Sequence, residues 1–304
     1  MLSIQGITKT YPNGVRALRG VDLEIGRGLF GLLGPNGAGK SSLMRTLATL
    51  QTPDAGTVTF TGPEGTPRSV FDDVQAHRRA LGYLPQDFGV YPGVSALELL
   101  DHLALLKGIT DRRARRAQVD ALLAQTNLWA HRTRAVSGFS GGMRQRFGVA
   151  QALLGDPRLV VVDEPTAGLD PEERNRFHNL LSEIGEQVVV ILSTHIVEDV
   201  RQLCPRMAIL AGGVVVHEGV PDRLVDELRG RVWGKTVARA DVERHRATHR
   251  VLSAQLHAGR TRLRVLADDA PGADFEPLTP DLEDVYFAAL GTAASGTAAL
   301  GTTV

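Results

Sequence analysis

The sequence is short of cysteine, of net charge and of long hydrophobic runs, and each shortage removes a class of explanation. One residue of 304 is cysteine, Cys204, so no internal disulfide can form and the usage fits a reducing compartment. No catalytic signature surrounds Cys204, which reads as a small core hydrophobe. Thirty-four basic residues are matched by 34 acidic ones, so there is no general pull toward nucleic acid or anionic lipid and partner choice falls to local surface. VVVIL at 188–192 and MAILAGGVVV at 207–216 fall short of the roughly 18 to 20 residues a membrane span needs. MLSIQGITKTYPNG breaks into polar residues and turn formers before the apolar core of a signal peptide develops. A soluble chain is therefore expected. Its last residues, 291–304, are small and bury too little surface to order themselves, so a disordered tail is expected there.

What is present points to an α/β fold with a parallel-sheet core. LFGLLG at 29–34, LVVVDE at 159–164 and VVVILST at 188–194 are short apolar runs, the pattern of strands buried on both faces. Helical patterns follow each: SSLMRTLATL, PEERNRFHNLLSEIG and IVEDVRQLC. The opening sixty residues alternate, in VRALRGVDLEI and TVTFTG, and predict an N-terminal antiparallel β-subdomain. SALELLDHLALLKG and DRRARRAQVDALLAQT read as amphipathic helices of an insert over about 90–155. After residue 230 the runs flanking HAG at 257–259 predict a hairpin, so a main domain over 1–230 and a small α+β C-terminal extension over 231–290 are expected. From Arg229 to Arg264 basic residues dominate, and acids dominate the segment from there to Asp284; a solvated basic face is the reading preferred over a headgroup or nucleic-acid patch.

GPNGAGKS, from Gly34 through Pro35, Asn36, Gly37, Ala38, Gly39 and Lys40 to Ser41, follows a buried strand and opens a helix. Glycines there let successive backbone N–H groups turn inward around an anion at the positive end of a helix. Lys40 then reaches the β- and γ-phosphates, Ser41 offers its hydroxyl to Mg²⁺, and Ser42 lies near the α-phosphate. LVVVDEP carries Asp163 and Glu164 to a strand end, where α/β sheets present ligands; Asp163 is expected to bind Mg²⁺ and Glu164 to polarise the attacking water. His195 and Gln86 also follow apolar runs, one as a γ-phosphate contact, the other as a contact to Mg²⁺ or the water. Tyr11 is either a packing aromatic or an adenine platform. SGFSGGMRQR places Ser140, Gly141 and Gly142 at a helix start, a second anion site on one chain. One nucleotide already has its cradle, so this site is expected to serve a nucleotide held by another copy.

Together these residues resemble the nucleotide-binding subunit of ABC (ATP-binding cassette) transporters, from Met1 to about Gly230. The resemblance implies a P-loop NTPase of the ABC type that hydrolyses ATP with Mg²⁺, with Walker A at Gly34 to Ser41, aromatic loop at Tyr11 and Q-loop at Gln86. It also implies a signature at Phe139 to Met143, Walker B at Leu159 to Glu164, D-loop at Ala167 to Asp170 and H-loop at His195. A head-to-tail dimer with a second copy, an integral membrane permease and a peripheral place on the cytoplasmic face of the membrane are implied as well. Catalytic roles fall to Glu164, His195, Gln86 and Lys40, and Asp170 joins the nucleotide contacts. Phe139 and Met143 replace the usual leucine and glutamine, and the D-loop reads AGLD. LPQDFGVYPGVSALELLDHLALLKG and LTPDLEDVYFAAL are similar to the type-2 export branch, which moves drugs, antibiotics, polysaccharides or lipids. The competing readings are an import ATPase and, less favoured, an ABC ATPase acting on DNA or ribosomes; one cassette without a long coiled coil or basic excess argues against the latter, and no nucleic-acid partner is expected.

Overall fold

The computed structural model describes residues 1–62, 65–89, 91–166 and 168–299, with backbone alone for 292–299. Ala167 of the expected D-loop and residues 300–304 of the expected tail lie outside the described residues. The chain opens with β1 (Leu2–Thr10) and β2 (Arg16–Ile25), then β3 (Gly28–Leu33), α1 (Lys40–Leu47), β4 (Ala55–Thr61) and β5 (Pro67–Ser69). Next come α2 (Val74–Ala80), β6 (Leu81–Leu84), α3 (Ala96–Leu106), α4 (Arg112–Gln125), α5 (Gly141–Ala152), β7 (Leu159–Asp163) and α6 (Pro171–Gly185). The second half holds β8 (Val189–Thr194), α7 (Val197–Leu203), β9 (Arg206–Ala211), β10 (Val214–Gly219), α8 (Pro221–Asp226) and β11 (Val232–Val237). It ends with α9 (Val242–Thr248), β12 (Arg250–His257), β13 (Arg260–Leu266), β14 (Glu276–Pro277) and α10 (Leu282–Ala299).

The apolar runs form the central sheet, in the order β10-β9-β3-β8-β7-β6, with β10 alone antiparallel to its neighbour. Their side chains alternate between two cores. Phe30, Leu32, Val161 and Ile191 face α1, through Leu43, Met44 and Leu47, and the antiparallel sheet β2-β1-β4-β5. Val160, Val162, Val190 and Leu192 face the other way, onto Phe177 and Leu181 of α6 and Val200 of α7. Each such aliphatic contributes about 1.5 to 3 kcal/mol on full burial, which fixes the strands that carry the site. The insert has its own core, in which Leu99 and Leu100 of α3 meet Val119 and Leu123 of α4 and Phe147 of α5. A capping box between Ser95 and Glu98 starts α3, and Asp111 caps α4.

The C-terminal sheet runs β12-β13-β11-β14. Its hairpin turns at Ala258 and Gly259, both at positive φ (47° and 79°), the backbone of a primed two-residue turn. Four bases of this segment pair with acids that follow it: Arg231 with Asp268, Lys235 with Asp274, Arg262 with Glu276, and Arg264 with the buried Asp284. The expected solvated basic face is thus threaded with ion pairs to its own sheet and helix. Leu282, Val285 and Tyr286 of α10 join the core that holds Val200 and Met207, so the last helix rests on α7. The backbone of α10 continues to Ala299, which corrects the expected disorder from 291 over the described part. The costly step of nucleation is already met at Leu282, so the helix extends through the four alanines of 291–299 in spite of Gly291 and Gly296.

Candidate active site

Four parallel strands end on one edge of the central sheet, and each delivers a polar residue just past its end. β3 leads into the loop Gly34–Gly39, β7 into Glu164, β8 into His195, and β6 into Pro85 and Gln86. A cavity of about 550 Å³ opens there. Lys40, Gln86, Glu164 and His195 line it together with Pro35, Asn36, Gly37, Ala38 and Gly39 of the loop. Ser41, Ser42 and Tyr11 line it too, with Val15, Arg16, Ala17, Arg19 and Gly212.

The loop's shape depends on two glycines that tolerate no side chain. A Cβ on Gly39, whose φ is 107°, would lie 2.4 Å from the Ala17 carbonyl oxygen, and one on Gly34 would lie 2.4 Å from that of Leu210. The backbone is thereby pressed into β2 and β9 while the N-terminus of α1 faces the cavity, which suits it to an anion.

Lys40 and Glu164 are 5% and 7% exposed and pair at 3.2 Å, Nζ to Oε1. Lys40 Nζ also donates to the carbonyls of Gly34 at 2.6 Å and Pro35 at 3.3 Å. The other carboxylate oxygen of Glu164 accepts from Nδ1 of His195 at 2.5 Å. Glu164 itself sits in the left-handed region with φ 50°, while its N–H donates to the Ser193 carbonyl at 2.8 Å. A non-glycine residue there costs about 1 to 3 kcal/mol and persists only where its surroundings hold it. Strain, burial and two cationic or protic neighbours thus converge on one carboxylate. Beside it, Asp163 is buried, and its Oδ1 has no hydrogen-bond partner, an orphaned acceptor suited to a hard cation.

The Tyr11 hydroxyl donates to Gln51 Oε1 and accepts from the Ser42 hydroxyl, both at 3.0 Å, and Tyr11 borders the cavity. Ser140, Gly141, Gly142 and Asp170 are not part of the lining. Ser140 caps α5, its Oγ accepting from the Met143 N–H at 3.2 Å, so the hydroxyl oxygen expected to point outward also serves its own helix. Asp170 likewise caps α6, accepting from the Glu173 N–H at 2.9 Å.

Three features carried no sequence signal. Gly142 is buried, and a Cβ there would meet Oε2 of Glu173 at 2.3 Å, so the glycine lets α5 approach α6. The same carboxylate pairs with the buried Arg146 at 3.4 Å. Burial, and secondarily the Glu164 carboxylate, pushes the phenol pKa of Tyr286 on α10 up. Cys204 is buried, and burial raises its thiol pKa too, in keeping with an inert core residue.

A phosphate loop at a helix N-terminus, with a strand-end carboxylate and histidine over it, defines a P-loop nucleoside triphosphatase. The family model described as ABC transporter matches residues 18–167. The chain is 30% identical to the uncharacterized ABC transporter ATP-binding protein YxlF of Bacillus subtilis over 94% of its own length and 98% of that protein's. It is 30% identical to the probable multidrug ABC transporter ATP-binding protein YbhF of Escherichia coli, over 99% of this chain and 54% of that one. The phosphonates import ATP-binding protein PhnC 1 of Rhodopseudomonas palustris is 36% identical over 77% of this chain and 90% of its own. Among solved structures, the dimeric post-hydrolysis state of the cassette MJ0796 with ADP and phosphate superposes with a TM-score of 0.64 at 27% identity, covering 72% of this chain and 98% of that one. The chain belongs to the ABC transporter family: it is an ATP-binding ATPase subunit of a transporter.

Proposed function

We propose that the chain powers export of a drug-like, antibiotic, polysaccharide or lipid substrate, with Glu164 as the general base for ATP hydrolysis. The observation that carries the catalytic part is the convergence of four strand ends on one cavity, with Glu164 fixed between Lys40 and His195. Lys40 and the loop would hold the β- and γ-phosphates, Tyr11 would stack on adenine, and Ser41, Gln86 and Asp163 would hold Mg²⁺. The orphaned Oδ1 of Asp163 and the oxygen character of that set fit a hard divalent ion; when bound it would neutralise charge on the phosphates. His195 would steady Glu164 and contact the γ-phosphate.

Ser140, Gly141, Gly142 and Asp170 would serve the nucleotide of a second copy in a head-to-tail dimer. The dimeric state in which the MJ0796 cassette was solved supports this, and none of the four lines the cavity of its own chain. Among the described residues no helix is long and apolar enough to cross a membrane, so coupling would run through contact with a permease at the cytoplasmic face. Tyr91, Leu105 and Leu106 are exposed on the insert and offer an apolar surface for it. We place the ATPase domain over 1–230 and the accessory unit over 231–290. Export is favoured by the similarity to the multidrug relative, which spans 99% of this chain. The test is transport in vesicles holding this chain and its permease. ATP-driven accumulation in inside-out vesicles is expected, and ATP-driven uptake into right-side-out vesicles would contradict export.

A further inference from the structure

Asp199 stands on α7, just past His195, and is wholly buried. A carboxylate so removed from water is costly unless bonded, and three side chains bond it. Thr166 Oγ1 donates to Oδ2 at 2.5 Å, Arg174 Nε donates to Oδ1 at 2.7 Å, and His178 Nε2 lies 2.9 Å from Oδ1. Burial alone would raise this carboxyl's pKa; the hydrogen bonds from His178, Thr166 and Arg174 outweigh it and hold the group below its ordinary value, as an anion. Arg174 and His178 belong to α6, and Thr166 belongs to the stretch that leaves Glu164 for Asp170. One carboxylate therefore ties together the helix behind His195, the helix capped by Asp170, and the segment behind the strained Glu164.

The geometry points to Asp199 as a positioning residue for hydrolysis, acting on Glu164 through Thr166; this rests on the reading of Glu164 as the base. The left-handed φ of Glu164 must be held from both sides. On its N-terminal side its own N–H is fixed by the Ser193 carbonyl. On its C-terminal side the anchor is the Thr166 hydroxyl on Asp199. When that anchor is removed the backbone can relax, and the carboxylate leaves its place between Lys40 and His195. None of the four residues in the cluster lines the nucleotide cavity, so nucleotide affinity has no direct dependence on them.

The test uses the full chain with Thr166→Val, which keeps shape and deletes the hydroxyl, and Thr166→Ser, which keeps the hydroxyl. Steady-state ATP hydrolysis, equilibrium ATP binding and the melting temperature are measured for each. Thr166→Val is expected to lower kcat roughly tenfold to a hundredfold, the usual worth of a hydrogen bond to a charged group, with ATP affinity unchanged within about twofold. Thr166→Ser is expected to hydrolyse near the wild-type rate. In a Glu164→Gln background Thr166→Val is expected to add no further loss, because it acts through that carboxylate. Hydrolysis by Thr166→Val within twofold of wild type overturns the inference while leaving the base assignment standing. So does a loss shared equally by Thr166→Ser, or one matched by lost ATP affinity, since that is what a merely structural role gives. Should Glu164→Gln alone hydrolyse near the wild-type rate, the base assignment falls and the inference falls with it.

Discussion

Replacing Gly142 with alanine tests the packing that sets the start of α5 against α6. The new Cβ would lie 2.3, 2.6 and 2.7 Å from Oε2, Cδ and Cγ of Glu173, each about 1 Å inside an ordinary contact. Either the carboxylate swings away or α5 lifts. In the first case Arg146, 8% exposed, loses its 3.4 Å partner, and an uncompensated buried charge costs about 3 to 5 kcal/mol. That figure is a ceiling, because Glu173 is 18% exposed and water can follow it. In the second case overpacking costs about 1 to 3 kcal/mol. Against either stands a gain of at most about 1 kcal/mol for alanine over glycine in a helix. The net is a loss of about 2 kcal/mol, which at about 2 to 4 °C per kcal/mol lowers the melting temperature by about 4 to 8 °C. Calorimetry on wild type, Gly142→Ala, Glu173→Ala and the double variant measures it. The alanine should cost far less once Glu173 has been truncated. A Gly142→Ala chain as stable as wild type, or equal costs in both backgrounds, would refute the reasoning.

Burial lowers the pKa of His77, whose Nε2 lies 2.9 Å from the Leu47 carbonyl; that bond opposes the shift, and Lys107 and Arg78 add to it. The unfolded chain therefore takes up this proton first. Stability should be level above the ordinary value of 6.5 and fall as the pH drops below it, and His77→Gln should flatten that slope in melting temperatures between about pH 7 and 5. Asp163→Asn removes the charge beside the orphaned Oδ1, so the Mg²⁺ concentration for half-maximal hydrolysis should rise about tenfold or more; an unchanged requirement would remove Asp163 from the metal site. Tyr11→Ala should weaken ATP binding by about 1 to 2 kcal/mol, read by titration, with no change marking Tyr11 as a packing residue. Leu106→Glu should leave the ATPase of the isolated chain within about twofold and impair transport in vesicles, since Leu106 is exposed on the insert.

The parts of this protein that follow from local rules were legible in its sequence. VVVIL and LVVVDE have the pattern of buried strands, and GPNGAGKS has the glycines of a phosphate-binding turn, so the parallel sheet and the phosphate loop could be read directly. His195 and Gln86 were reachable because each follows an apolar run to the same sheet edge. What escaped depends on partners distant in sequence. The ion pairs along the basic run after Arg229 escaped because their acids lie in later elements, Arg231 finding Asp268 and Lys235 finding Asp274. Asp199 looked like one more acid in IVEDVRQLC, and its donors come from the segment after Glu164 and from α6. The approach of Gly142 to Glu173 depends on how α5 and α6 pack. The tail read as unstructured because its composition was judged without the helix already formed at Leu282.

The central claim is that Glu164, strained and clamped between Lys40 and His195, is the base that activates water for ATP hydrolysis. Glu164→Gln keeps the shape and deletes the charge, so its turnover, measured beside its ATP affinity and its mass in solution with ATP, is the most direct measurement. The account predicts a rate lower by about 10²- to 10⁴-fold, ATP bound as in wild type, and an ATP-dependent dimer that persists. Turnover near the wild-type rate would contradict it.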